Sequence, residues 1–148
     1  MVELLVVISI IGLLSTLAVV SLNSARVKAR DAKRLADIHQ IQTALEFFFN
    51  ERNGYPGLSG DPIASVQAIL GSGSYGCLSS GGWAQRGCQN PFMANVPTDP
   101  GVGGSPYEYA MDGVNLNAYT LRFTLESGTP FLPAGPVVAT PDGFRPAP

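Results

Sequence analysis

The sequence predicts an α+β protein in which one long N-terminal helix, about residues 1–52, packs on a small antiparallel β-sheet. An apolar run, Leu4–Leu22, passes without a break into a segment with helical periodicity, and no proline occurs before Pro56. Two aromatic and β-branched segments in the second half of the chain predict a strand pair. Six prolines after Gly128 predict an extended, exposed C-terminal tail that adds nothing to the core.

These features divide the chain into four parts. We expect a hydrophobic half-helix that spans a membrane or lies in a helical bundle, an amphipathic half-helix, a globular head and a proline-rich tail. The corresponding ranges are 1–25, 26–53, 54–128 and 129–148.

The first half of the helix has the length and composition of a membrane span. Leu4–Leu22 contains no charged residue, and about 20 apolar residues cross a bilayer as a helix. There is no basic segment before it and the run is longer than a usual signal-peptide core, so we expect a retained membrane helix. Glu3 is a charge beside this segment and therefore needs a partner, which we expect to be another copy of the chain.

The second half of the helix has one apolar face. Apolar residues recur at three- and four-residue steps from residue 26 to residue 50, the pattern of a helix with one buried side. The turn residues from Asn53 to Pro56 predict its end. The face that we expect to be buried contains Leu35, Ile38, Ile41, Gln42, Leu45, Phe48 and Phe49.

We expect the other side of this segment to be a solvated, charged face. Lys33 and Arg34 lie four and three residues before Asp37, within side-chain reach on a helix. A contact between the basic residues and lipid headgroups or DNA is a second interpretation. The charged set is Arg26, Lys28, Arg30, Asp31, Lys33, Arg34 and Asp37.

The head has a mixed pattern. Ile63–Leu70, behind Asp61 and Pro62, predicts a short helix with Asp61 as its N-cap. The glycine- and serine-rich segment 71–82 predicts a loop. The strands of the predicted hairpin are 107–110 and 118–125, with Asp112, Gly113, Asn115 and Asn117 in its turn.

The two cysteines, Cys77 and Cys88, predict a disulfide. They lack the spacing of a metal site, and a pair in a chain with a membrane-directed N-terminus is typical of a disulfide formed outside the cytosol. Loop-entropy models give a bridge of this size about 3 kcal/mol of stabilisation.

No catalytic or cofactor site is predicted. The single histidine, His39, lies among polar helix residues, and we expect it to be solvated or to lie between subunits. The net charge of −2 gives no signal for nucleic acid. The chain lacks a serine–histidine–aspartate set and a phosphate-binding loop, so we expect no enzyme. Metal binding is not expected either, because the acids Asp99, Glu108, Asp112 and Glu126 lack the spacing of a calcium loop.

Small residues form stripes along the apolar half-helix. Such stripes let helix backbones approach closely, which a lone membrane anchor does not need. They therefore predict packing among copies of the chain. The stripes are Ser9, Gly12 and Thr16, and Ala18, Ser21 and Ala25.

The opening residues resemble the N-terminus of type IV pilins and of the related type II secretion pseudopilins. Glu3-Leu4-Leu5-Val6-Val7 and Gly12 match the family pattern of a glutamate, an apolar run and a later glycine. Tyr55-Pro56, Val96–Pro100 and the hairpin resemble the head of a small pilin or major pseudopilin. The resemblance is specific over about the first 55 residues and absent from the tail.

This resemblance implies the pilin fold and the role of a major pilin in a type IV pilus-like extracellular filament, for adhesion, motility or DNA uptake. It implies that Glu3 pairs with the N-terminal ammonium of a neighbouring subunit and that Gly12 also serves assembly. The implied partners are copies of the chain, the inner membrane before assembly, the assembly platform, prepilin peptidase and assembly ATPase, and DNA or a host surface.

Two alternatives stay open. One is a major pseudopilin of a type II secretion system, in a short periplasmic filament. The other, of a different class, is a membrane-anchored binding or enzymatic domain, which would need a concave polar site and no helix-packing stripe.

The chain departs from the family pattern in three ways. Its glutamate is the third residue rather than the fifth of the mature chain, which indicates two further mature residues before Met1 or a misplaced start codon. Val20 stands where many pilins have a proline, near a segment that unwinds on assembly, so unwinding between Gly12 and Val20 depends on the glycine. Beyond Leu125 the chain offers only Glu126 and Asp142 as acids, few for the calcium loop of many pseudopilins.

Overall fold

The computed structural model describes residues 2–58, 67–101, 103–111 and 117–147. A single long helix, α1, is followed by short strands and one 3-10 turn, Gly73–Tyr75. The elements are α1 Val2–Arg52, β1 Ala68–Ile69, β2 Cys77–Ser79, β3 Gly82–Ala84, β4 Pro91–Met93, β5 Glu108–Met111, β6 Tyr119–Leu125, β7 Gly135–Thr140 and β8 Gly143–Pro146.

Helix α1 is continuous over 51 residues and about 75 Å long, at 1.5 Å per residue. It ends where the sequence predicts, because Asn53 takes a left-handed conformation with φ of 53°. The Asn53 amide donates to the Phe49 carbonyl at 2.8 Å, so Asn53 satisfies a free carbonyl of the last turn. The predicted α+β arrangement of one long helix and antiparallel sheets is confirmed.

The larger sheet is antiparallel, with the strand order β1-β5-β6-β7-β8. The predicted hairpin is its centre, since Glu108 pairs with Arg122 and Met111 with Tyr119. Alternate residues of β6 are buried and pack with the predicted apolar face of α1 in one core. The core residues from these two elements are Ile38, Ile41, Ala44, Leu45, Phe48, Tyr119, Leu121, Phe123 and Leu125. The predicted turn residues Asp112, Gly113 and Asn115 lie outside the described residues.

The short helix predicted at Ile63–Leu70 is wrong at its C-terminal end. Ala68 and Ile69 form strand β1, which pairs with Tyr109 and Glu108 of β5. The edge of β5 offers backbone partners to this segment, and tertiary pairing overrides a weak local preference for helix. The predicted start of that helix, at Asp61, lies outside the described residues.

The segment 71–82, predicted to be a loop, contains the 3-10 turn and strand β2. Strand β2 is the centre of a second sheet with the order β3-β2-β4. Cys77 and Leu78 are completely buried. The sequence does not indicate this burial, because the surrounding glycines and serines are typical of an exposed loop. The predicted disulfide between Cys77 and Cys88 is present, with 6.2 Å between the Cα atoms, and it ties the loop after β3 to the centre of this sheet.

The prediction of an exposed proline-rich tail over residues 129–148 is wrong. Strand β7 pairs with β6, and β8 pairs with β7. Val137 and Ala139 are completely buried and belong to the main core. Pro141 lies in the turn between the two strands, and the Pro136 carbonyl accepts from Ala147 at 3.0 Å. Pro136 is the second residue of β7 and Pro146 the last residue of β8, so the prolines lie at strand ends and do not prevent strand pairing.

The buried position of Val137 gives a first prediction. Val137→Ala should lower the free energy of unfolding by about 2 kcal/mol, because it removes buried apolar groups and leaves a cavity. Phe131→Ala is the matched control from the same C-terminal segment, since Phe131 is 94% exposed and should change stability little. Chemical denaturation of the detergent-solubilised chain measures both. Equal stability of the Val137→Ala variant and the wild type would contradict the buried position of β7.

Candidate functional site

The N-terminal half of α1 is an apolar surface that its own chain leaves uncovered. Residues 2–26 are exposed, and no residue in the most apolar stretch of this helix is buried. By length and composition it is one helix that could cross a membrane. The exposed large apolar residues of this half are Val2, Leu4, Leu5, Val6, Val7, Ile8, Ile10, Ile11, Leu13, Leu14, Leu17, Val19, Val20 and Leu22.

Glu3 lies in the first turn of α1, where a carboxylate is favoured by the helix dipole. Its side chain is exposed, and no ion pair among the described residues engages it. Its pairing with an ammonium of a neighbouring subunit stays a prediction.

Three hydroxyl groups of the apolar half-helix donate to backbone carbonyls of the same helix. Ser9 donates to the Leu5 carbonyl at 2.8 Å, Ser15 to the Ile11 carbonyl at 2.7 Å and Thr16 to the Leu13 carbonyl at 2.8 Å. At these three positions the helix can face lipid or another helix without an unpaired hydroxyl donor. A Cβ at Gly12 would meet nothing within 4 Å, so no contact within the subunit requires that glycine. The helix is continuous through Gly12 and Val20, and unwinding there on assembly stays a prediction.

A buried ionic cluster fixes the other half of α1 to the head. It is called here the Arg34 cluster and consists of Asp31, Arg34, Asp99 and Glu126. Arg34 binds the Asp99 carboxylate through two nitrogens, at 2.6 and 2.9 Å, and binds Asp31 at 2.8 Å and Glu126 at 2.7 Å. The side chains of Arg34, Asp31 and Asp99 are no more than 5% exposed.

The prediction of a solvated charged face is therefore wrong for part of that face. Asp31, Arg34 and Asp37 are buried. Asp37 accepts from the Tyr107 hydroxyl at 3.1 Å, and burial beside Asp37 raises the pKa of Tyr107 above its usual value. The predicted ion pair between Lys33 and Asp37 is present at 3.4 Å.

Asp31 holds the loop that follows β6. Its carboxylate accepts from the Glu126 amide at 2.8 Å, from the Ser127 amide at 2.7 Å and from the Gly128 amide at 3.2 Å. The Ser127 hydroxyl adds a fourth bond at 2.9 Å. Burial alone would raise the pKa of Asp31, but these bonds and Arg34 outweigh it, so the pKa lies below its usual value.

Asp99 holds the loop before β5 in the same way. It accepts from the Gly101 amide at 2.6 Å. A Cβ at Gly101 would lie 2.8 Å from both Arg34 and Asp99, and a Cβ at Gly104 would overlap the Asp99 carboxylate. These two glycines therefore let the backbone close over the ion pair.

Glu126 forms the partly exposed rim of the cluster. Arg30 donates to its carboxylate at 2.8 Å. Hydrogen bonds from Arg30 and then Arg34 lower the pKa of Glu126 to about 2. A cavity of about 440 Å³ adjoins this rim and is lined by Arg30, Arg34, Gly101, Gly103, Gly104, Ser105, Thr124 and Glu126.

The charged groups of this cavity already bind one another. The guanidinium of Arg34 binds three carboxylates, and Asp99 and Glu126 face arginines rather than a cation site. The described residues hold no group of three or more histidine, cysteine or acidic side chains that could bind a metal. The candidate functional surface is thus the apolar half-helix, which the Arg34 cluster holds in a fixed relation to the head.

The sequence does not predict Asp99 and Glu126 as partners of α1, but one signal in it indicates the buried charges on the helix. Asp31 and Arg34 continue the three- and four-residue spacing of Ile38, Ile41 and Leu45, so they lie on the buried face. His39, by contrast, is exposed as predicted, with its ring centre 4.9 Å from that of Phe144.

Comparison with known proteins gives one informative similarity. No protein-family model matches the chain, and no solved structure matches it significantly. The chain is 27% identical over 129 residues to the type II secretion system core protein G of Aeromonas hydrophila, across 86% of this chain and 82% of that protein. The N-terminal motif, the long helix on a small antiparallel sheet and this similarity agree. Together they support the resemblance to pilins and pseudopilins, and they show the pilin-like arrangement of one long helix followed by antiparallel sheets.

The Arg34 cluster predicts that Arg34 and Arg30 differ greatly in their contribution to the free energy of unfolding. Arg34→Met leaves Asp31 and Asp99 buried without their cation, and loss of a buried partner costs about 3 to 5 kcal/mol. Arg30→Met removes a partly exposed, solvent-screened pair and should lower the stability much less. Denaturant titration of the two variants measures the difference. A similar loss in both would contradict the distinct role of Arg34.

The lowered carboxylate pKa values predict acid sensitivity. A carboxylate whose pKa is lower in the folded state stabilises the fold above its unfolded pKa and loses that effect as the pH falls. Stability should therefore decline from about pH 4.5, the usual pKa of a glutamate, towards pH 2, the pKa of Glu126 in the fold. Denaturation at a series of pH values measures this slope, and Glu126→Gln should make it shallower. A constant free energy of unfolding over this range would contradict the prediction.

Proposed function

We propose that the chain is a structural subunit of a pilin-like filament and assembles through its N-terminal helices. One observation carries the proposal. A single rigid helix has one half packed in a core and another half, apolar and uncharged beyond Glu3, with no cover from its own chain. Burial of apolar surface is worth about 25 cal/mol per Å², so this half must lie in lipid or against other proteins.

The same surface suits both environments in turn. Before assembly it lies in the inner membrane, because its length matches a bilayer. After assembly the half-helices of neighbouring copies cover one another. The stripes of small residues, which no contact within the subunit explains at Gly12, support close helix packing. The assembly platform, prepilin peptidase and assembly ATPase are the machinery that this proposal requires.

Glu3 supplies the polar contact in the proposed helical core. Beside an apolar surface its carboxylate is favourable only with a partner of opposite charge. The N-terminal ammonium of a neighbouring copy is such a partner, and its position would set the axial register between subunits.

Of the two kinds of filament, we favour a type II secretion pseudopilus. The specific observation is the similarity to core protein G, which extends over most of both chains. The second candidate is a major pilin of an extracellular type IV pilus, which shares the N-terminal motif. In that case adhesion, motility or DNA uptake would follow, with DNA or a host surface as partner.

Deletion of the gene separates the two candidates. A pseudopilin predicts that secreted proteins stay in the periplasm while surface filaments persist. A type IV pilin predicts that surface filaments disappear in electron micrographs while secretion continues. If the deletion altered neither protein secretion nor surface filaments, that result would argue against the filament proposal itself.

Glu3→Ala should strongly reduce assembly. It leaves the neighbouring ammonium unpaired, and at about 3 kcal/mol or more per contact the affinity falls at least roughly a hundredfold. Glu51→Ala is the control, because it removes an exposed carboxylate at the other end of α1. Electron microscopy and sedimentation of filaments measure the yield. Normal filament yield in the Glu3→Ala variant would contradict the hypothesis that Glu3 pairs with the ammonium of a neighbouring subunit.

A further inference from the structure

We propose that a groove beside α1 binds the apolar N-terminal half-helix of a second copy of this chain. It is called here the Phe131 groove and has a volume of about 580 Å³. The inference deepens the proposed function and rests on it, because it names the surface of the head that covers part of the exposed half-helix. Its lining is Leu35, His39, Thr129, Pro130, Phe131, Leu132 and Phe144.

The chemistry of the groove suits an uncharged apolar occupant. No acid, lysine or arginine lines it, and His39 is its single ionisable residue. The His39 ring already contacts the edge of Phe144, with 4.9 Å between ring centres. A charged or strongly polar segment would lose its hydration here without gaining a partner.

Phe131 is an exposed aromatic side chain on a loop whose backbone is fixed by hydrogen bonds. It is 94% exposed, whereas its neighbour Leu132 is buried. The Thr129 amide donates to the Leu132 carbonyl at 2.7 Å, and the Thr129 hydroxyl accepts from the Leu132 amide at 3.0 Å. On the other side, Asp31 binds the Gly128 amide. A loop fixed at both ends presents its aromatic residue at little further entropic cost, as binding hot spots do.

The occupant must come from another molecule. In the described part of the chain, Leu4–Leu22 is a long, exposed segment that is apolar and uncharged. Its chemistry therefore matches the lining of the groove. The same copy cannot supply it, because Leu35 lies on the same straight helix, thirteen residues and about 20 Å beyond Leu22. That distance also keeps the groove away from the membrane in which its own half-helix lies.

The geometry fixes the relation between the two copies. For any residue of Leu4–Leu22 to lie beside Leu35 of another copy, that copy must be shifted along the axis by roughly 20 to 45 Å. A contact between two different surfaces with such a shift does not close on itself and therefore propagates as a filament. The neighbour that contacts Glu3 is a different one, since that contact joins the ends of two helices.

Photo-crosslinking tests the contact. A photoreactive amino acid is placed at position 131 of the full chain, filaments are assembled and irradiated, and the adducts are mapped by mass spectrometry. We expect adducts to residues 2–23 of another copy. The control is position 69, since Ile69 is also exposed but lies on β1, at the far edge of the sheet from β8. Adducts at position 131 to lipid, to another protein or to the head of another copy alone would overturn the inference.

A charge at the same position gives an independent measurement. Phe131→Asp should leave the melting temperature of the subunit unchanged and raise the concentration needed for assembly roughly tenfold, the loss of one buried phenylalanine contact. Ile69→Asp should change neither quantity. Equal assembly of the Phe131→Asp variant and the wild type would overturn the inference and leave the filament proposal standing. Absence of filaments from the wild type would instead reject the proposed function.

Discussion

The buried ion pair between Arg34 and Asp99 is the contact on which the arrangement of this molecule depends. Apolar contacts between a helix and a sheet allow several registers, because the ridges of a helix repeat along its axis. A guanidinium bound through two nitrogens to Asp99, at 2.6 and 2.9 Å, allows one position only. We interpret the Arg34 cluster as the feature that fixes the rotation and axial position of α1 on the head, which is the best-attested use of buried polar groups.

The fixed position of α1 matters because one half of the helix is buried in its own subunit, whereas the other half is exposed. Ile38, Ile41 and Leu45 are completely buried, whereas Leu4 and Leu13 are more than half exposed. The same rigid element therefore transmits the position of the head to the apolar half-helix. Because an exposed apolar surface of this size is unfavourable in water, the single subunit needs lipid or another protein surface to cover this half of the helix.

The sequence predicts the features that depend on local periodicity. The apolar face of α1, its end at Asn53 and the β5–β6 hairpin follow from spacing and turn residues. The Arg34 cluster follows only in part: the spacing places Asp31 and Arg34 on the buried face, but nothing local indicates Asp99, which lies 65 residues beyond Arg34. Strands β7 and β8 were not predicted, because the six prolines of this segment indicated an extended tail. The number of prolines does not show whether they lie at strand ends, where pairing tolerates them. The disulfide follows from the two cysteines, from the absence of metal-site spacing between them and from the compartment that the apolar N-terminal segment indicates.

The ionic cluster and the Phe131 groove are physically one unit. Asp31 binds the amides of Glu126, Ser127 and Gly128, and Phe131 stands three residues further along the same loop. The loop is therefore anchored on α1 itself, beside Leu35, which lines the groove. A rotation of α1 on the head would move the half-helix, the loop and the groove together. In the proposed filament, the apolar half-helix and the groove that receives the half-helix of a neighbour are thus held in a fixed relation by contacts inside one subunit.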